Sequence, residues 1–172
     1  MTEHTLSSAH VAEVSQTVSR ALDAVAPNFD AALKAIAQAF GAVTATLHSA
    51  DTSSAQLTMV AHLGLPAPLI AITQRIPFGK GIAGLCAVRA EPVTLCNLQT
   101  DDSGTAKPDA KQTGVAGAIA VPVFGPDGAL VGTLGVGKPH EHTYTDHEQR
   151  VLGDWAGFLG RALVATRAHQ QT

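Results

Sequence analysis

Phe78-Gly79-Lys80-Gly81-Ile82-Ala83 joins a glycine turn to the head of a short apolar segment. Glycine tolerates positive φ and close backbone approach, so this stretch reads as a tight entry into a helix. The helix is predicted over about residues 82–89, and Glu91-Pro92 stops it. The first turn of such a helix offers unpaired N–H groups and the positive end of its dipole, with the Lys80 ammonium beside them. That chemistry suits an anion or a polar ligand group. A turn required by the fold alone is the plainer reading, and the two are compatible because the same N–H groups serve both.

The remaining reactive side chains are sparse. Cys86 and Cys96 are two cysteines, too few for a disulfide framework. They form a redox pair if they face each other, and small buried hydrophobes otherwise. His140, His142 and His147 cluster with Glu141 and Asp146. Their spacing is awkward for a helix and acceptable for a loop metal site, and equally natural in a solvated loop before a capped helix, so no metal is assigned. His48 and His62 fall on neighbouring predicted strands, where they line a pocket or face solvent. Asp101 and Asp102 sit in a polar loop without an evident partner for acid–base work. No CxxC motif, nucleophile elbow or phosphate-binding P-loop occurs.

Hydrophobic periodicity supplies the elements that hold these groups. Residues 1 to about 8 read as frayed. Val11, Val14, Val18, Leu22 and Val25 make one helical stripe over about 9–26, broken by Pro27. Asn28 then caps a second helix with Phe29, Leu33, Ile36 and Phe40 on its apolar face, ended by Gly41. Strands are predicted over 42–49 and 55–63, with Leu57, Met59, Ala61 and Leu63 on one face of the second. A short helix over 66–73 leads into the glycine turn. A strand over 93–98 follows, then a long polar loop over 99–113, of a length that is usually functional or mobile. Residues 115–124 read as a buried strand in which Pro122 implies an edge or a bulge. Gly125-Pro126-Asp127-Gly128 turns the chain into a return strand over 130–137. Thr145 and Glu148 form a capping box before a helix with Val151, Leu152, Trp155, Leu159 and Leu163 on its buried face, reaching about residue 168. Helices segregated from an antiparallel sheet make an α+β domain. We divide the chain into an N-terminal helical segment, 1–26, and a domain over 27–172. The first helix is expected to reach beyond the body and to pair with its copy in a homodimer.

The totals bound the partners. The chain has 172 residues, a net charge of −3 and a pI near 6.2. No basic footprint marks it for direct nucleic-acid binding. Its charged fraction of 15% is below the usual quarter, so part of the surface is expected to be covered, most simply by self-association. No apolar run reaches ~18 residues, so no membrane span is predicted. The polar start, MTEHTLSSAH, lacks the order of a signal peptide, which makes the cytoplasm the expected compartment.

Four stretches together resemble the GAF domain family over about residues 29–163: FGKGIAG with its helix, EPVTLCNL, the hairpin AVPVFGPDGALVGTLGV, and YTDHE. The resemblance implies a central antiparallel sheet of about five or six strands, with the terminal helices on one face. It implies a pocket on the other face, under short helices and loops. GAF domains sense small molecules and are usually joined to an output module. None is visible here, so the resemblance points to a stand-alone sensor that signals through a homodimer or a separate signalling protein. The expected ligand site comprises Phe78, Gly79, Lys80, Gly81, Ile82, Ala83, Cys86, Cys96, Asp101 and Asp102. It would take a small organic or anionic ligand, with no cofactor assigned; nitrate-binding stand-alone GAF proteins use similar machinery. One branch, the free methionine-(R)-sulfoxide reductases, is enzymatic and would make Cys86 and Cys96 catalytic. Its G-K-G-V-C-G helix entry has Ala83 here in place of cysteine, its H-I-A-C-D loop cysteine is missing from 99–114, and its acidic residue in S-E-I-V-V-P is Ala118. The bilin-binding C-H pair and the cyclic-nucleotide motif are not found. A ligand-free dimerisation scaffold is the third reading.

Overall fold

The computed structural model describes residues 6–105 and 108–170. Six antiparallel strands form one sheet in the order β3-β2-β1-β6-β5-β4. They are β1 (Thr44–Asp51), β2 (Gln56–Leu63), β3 (Arg75–Pro77), β4 (Val93–Leu95), β5 (Ala118–Phe124) and β6 (Leu130–Gly137). The helices α1 (Ser8–Leu22), α2 (Phe29–Phe40) and α5 (Asp146–Gln170) cover one face. The other face carries α3 (Ala67–Thr73), α4 (Gly81–Arg89) and a 3-10 helix (Pro108–Thr113). The architecture is α+β, with the terminal helices and the site elements on opposite sides of the sheet.

The main core lies under the terminal helices, where Trp155 at its centre packs edge-on against Phe40 at a centroid distance of 5.8 Å. The capping box forms: Glu148 N–H donates to Thr145 Oγ1 at 3.1 Å, and Thr145 N–H to Glu148 Oε1 at 2.9 Å. The α2 caps also follow the sequence, with Asn28 accepting from Ala31 N–H and Gly41 in the left-handed region at φ 61°.

Several expectations are corrected. The first helix ends at Leu22 rather than near 26, because Asn28 N–H donates back to the Ala21 carbonyl and folds 23–26 into a bend. Val25, which matched the helical period, is fully exposed. The helix does not stand off the body. Val14, Val18 and Leu22 are buried in the main core, and Trp155 Nε1–H donates to Ser15 Oγ at 2.9 Å.

The single face assigned to β2 is also wrong. Leu47 opposes Ala61 and His48 opposes Met59, so Val60 is an extra residue, a β-bulge. The bulge reverses parity: Ala61 joins the helix-side core, whereas Leu57 packs on the other face with Ala50, Ile76 and Ala87. A strand at 75–77 was not expected; three residues carry no period, and it exists because Gln56, Leu57 and Thr58 offer it a ladder. Pro122 is accommodated because β4 pairs only as far as Ala120, leaving that flank of β5 open.

Candidate functional site

β1 begins the site. Its alternation sends Ala45 and Leu47 into the helix-side core and Thr44, Thr46 and His48 to the opposite face. β6 lies beside it, with Gly137 opposite Thr44, Gly135 opposite Thr46 and Thr133 opposite His48. The glycines keep the floor low. A Cβ at Gly137 would fall 2.6 Å from both Thr44 Oγ1 and Val115 Cγ1, and one at Gly135 2.9 Å from Thr46 Oγ1. Above this floor α3 supplies Leu69, Ile72 and Thr73, and α4 and its entry supply Lys80, Gly81, Ile82 and Ala83. Leu98, Ala110, Thr113 and Val115 close the side toward the long loop. The cavity, open on one side to solvent, has a volume of about 180 Å³.

The entry into α4 is a glycine construction. Gly79 and Gly81 have φ of 86° and 64°, and a Cβ at Gly84 would sit 2.7 Å from the Pro77 carbonyl oxygen. Gly79 N–H donates to the Gly84 carbonyl and Lys80 N–H to that of Pro77, so the turn is held by its own backbone. No side chain caps α4, and Ile82 and Ala83 of its first turn line the cavity.

His48 is the deepest polar group of the wall, 2% exposed. Its Nε2 lies 2.9 Å from the Thr73 carbonyl oxygen, and its Nδ1 is buried with no hydrogen-bond partner. Burial holds its pKa below the ordinary 6.5, against a smaller opposing effect of the Thr73 bond, so the imidazole is neutral at pH 7. Thr133 across the strand also buries an unpartnered hydroxyl. The hydroxyls of Thr73 and Thr113 donate to the carbonyls of Leu69 and Ala110. Lys80, exposed, is the sole charged side chain of the wall among the described residues.

Of the residues expected at the site, Lys80, Gly81, Ile82 and Ala83 line the cavity, and Phe78, Gly79, Cys86, Cys96, Asp101 and Asp102 are not among its walls. Cys86 is fully buried against Val93 and Ala120, and burial, aided by the Glu91 charge, pushes its thiol up to about 12. Cys96 is exposed, and its Sγ lies 3.5 Å from Glu141 Oε1 and 3.4 Å from Thr143 Oγ1. The two cysteines therefore sit in different surroundings, both as free thiols. Asp101 accepts from Ser103 within the loop. His142 Nε2–H bonds the Glu148 carboxylate at 3.0 Å, His147 bonds the Leu6 carbonyl, and His140 packs edge-on near His142. Among the described residues no three His, Cys, Asp or Glu side chains converge on a metal position.

Sequence reasoning missed most of the floor and the α3 wall. The alternation in Thr44-Ala45-Thr46-Leu47-His48 and in Thr133-Leu134-Gly135-Val136-Gly137 carries the signal, once the β1–β6 register joins the two strands.

A sequence profile of the GAF domain family matches residues 28–164. No curated protein matches the chain by sequence. Among solved structures, the GAF domain of a phosphoenolpyruvate-protein phosphotransferase from Coxiella burnetii superposes with a TM-score of 0.79 at 19% identity, covering 94% of this chain and 97% of that one. Free methionine-R-sulfoxide reductase from Neisseria meningitidis, solved with its substrate, gives 0.76 at 23% identity over 94% and 92%. The fRMsr of Staphylococcus aureus, also in complex with substrate, gives 0.70 at 14% identity over 89% and 95%. At these identities the likeness is one of fold, and it extends to enzymes and to a domain of a phosphotransferase alike.

Proposed function

Because the chain belongs to the GAF domain family, we propose that it is a small-molecule sensor without an enzymatic reaction of its own. The observation that carries this reading is the cavity itself: aliphatic walls, a buried acceptor at His48, and a glycine-entered helix over its side. A concave apolar space with a few convergent polar groups is the usual form of a ligand site. The ligand lies between the sheet and α3–α4, with Lys80, Gly81, Ile82 and Ala83 along one side. Ala110 and Thr113 belong to the 99–114 loop, and reordering of that loop on binding is the signal. The signal passes to a second copy across the outer faces of the terminal helices, or to a separate protein. The cytoplasm is its proposed compartment; no helix among the described residues is long and apolar enough to cross a membrane.

The reductase alternative has support in two of the structural neighbours. Against it stand the cavity walls, which include neither cysteine, and the Cys86 thiol, pushed up to about 12 and thus protonated at neutral pH. Against a bare scaffold stands the cavity, which side chains do not fill.

A thermal-shift panel of small neutral and charged compounds tests the reading against an Ala110→Trp variant that fills the cavity from the loop side. At least one compound is expected to raise the Tm of the native chain and to leave the variant unmoved. Equal shifts in both, or no shift with any compound, would reject the site. Turnover of free methionine sulfoxide with thioredoxin and NADPH, lost in Cys96→Ser, would instead establish the enzyme.

A further inference from the structure

The His48 ring defines what the ligand must bring. A carbonyl oxygen only accepts, so the 2.9 Å contact with Thr73 puts the proton on Nε2. Nδ1 of the neutral ring is then an acceptor, buried in the protein and without a partner. A native structure rarely leaves such an atom unsatisfied, and the ring that carries it is part of a cavity wall. Thr73 closes α3, so the tautomer is fixed by backbone rather than by a mobile side chain.

The rest of the wall sets the remaining chemistry. Leu65, Leu69, Ile72, Ile76, Ile82 and Leu98 make it hydrocarbon. Among the described residues no carboxylate stands in it to meet a cation, and the one ammonium there, Lys80, is exposed to water. A charged group carried down to His48 would lose its hydration without finding an opposite charge. A neutral ring bearing a hydroxyl loses far less and supplies the missing donor. The volume, about 180 Å³, is comparable with an apolar cavity of about 150 Å³ that accepts benzene.

We infer that the cavity takes a neutral, mostly hydrocarbon molecule of about one ring, whose hydroxyl donates a hydrogen bond to His48 Nδ1. This rests on the pocket reading above and names its ligand chemistry.

Phenol, anisole and benzoate separate the possibilities, since they share a ring and differ in donor and charge. Each is titrated into the intact chain by calorimetry, with the imidazole 15N resonances and the Ile72 and Ile82 methyl signals followed by NMR. Phenol is expected to bind roughly tenfold tighter than anisole, the scale of one net hydrogen bond. It should also move the Nδ1 resonance of His48, which anisole should not. In His48→Leu the preference should vanish; where that variant fails to fold, the Nδ1 resonance of the native chain decides. Anisole binding as tightly as phenol, with Nδ1 unmoved, would overturn the inference and leave the pocket standing. Tightest binding by benzoate, abolished in Lys80→Ala, would overturn it in favour of an anion site. No binding by any of the three, with both methyl signals still, would overturn the inference and the pocket together.

Discussion

His48 is one residue through which pH reaches this fold. Burial holds its folded pKa below 6.5, while the unfolded ring titrates near that value. Between the two, the unfolded state binds the extra proton, so stability is complete above about pH 6.5 and falls as pH drops through the window below it. The loss has a limiting slope of about 1.4 kcal/mol per pH unit for one proton. Urea unfolding at pH 7.5 and 5.5 should therefore give a smaller pH difference in His48→Gln than in the native chain; an unchanged difference would refute the assignment. The cysteines allow a second check. Buried Cys86 is expected to be inert and exposed Cys96 reactive. A charged thiol reagent should label one thiol in the folded protein and both after denaturation. Two rapid labels without denaturant would contradict the burial of Cys86. Sequence named both cysteines and five histidines, His48 among them, yet it could not grade them, because burial is a property of packing. The one sequence clue to His48 was its place on an alternating strand.

The elements carry their own logic in the glycines of α5. Gly157 faces open space, whereas a Cβ at Gly160 would lie 2.0 Å from the Phe124 carbonyl oxygen of β5. Gly157→Ala should stabilise by about 0.5–1 kcal/mol through helix propensity. Gly160→Ala should destabilise by about 1–3 kcal/mol through overpacking. Opposite signs in urea midpoints are the expected result, and equal signs would mean that α5 sits differently on the sheet. Long periodic elements such as α2 and α5 were legible from the sequence with their caps. The bulge at Val60 was not, because one inserted residue leaves local composition unchanged and reverses every side chain beyond it. β3 was equally hidden, since its three residues are a strand only beside β2. The long loop hid a 3-10 turn for the same reason of length.

At the scale of the whole molecule the sheet divides two duties. The helix side holds the large core around Trp155, and the opposite side keeps space that its own side chains do not fill. α1 belongs to the first duty, with Val14, Val18 and Leu22 buried and Ser15 bonded to Trp155. Each such side chain contributes about 1.5–3 kcal/mol on burial. A chain lacking residues 1–26 should therefore lose cooperative unfolding and the near-ultraviolet dichroism of Trp155; retention of both would make α1 an appendage after all. Fold class and most of the element order came from periodicity and turn chemistry. The cavity did not, since it depends on which faces of β1 and β6 meet α3 and α4.

The central claim is that a small molecule enters between the sheet and α3–α4, and isoleucine methyl groups report on it directly. Ile72, Ile76 and Ile82 line the cavity, whereas Ile36 is buried in the core under the terminal helices. We would record the isoleucine methyl spectrum of the intact protein during titration with phenol. Saturable shifts of Ile72, Ile76 and Ile82, with Ile36 unmoved, are the expected result. Three still signals, or shifts spread equally to Ile36, would contradict the claim.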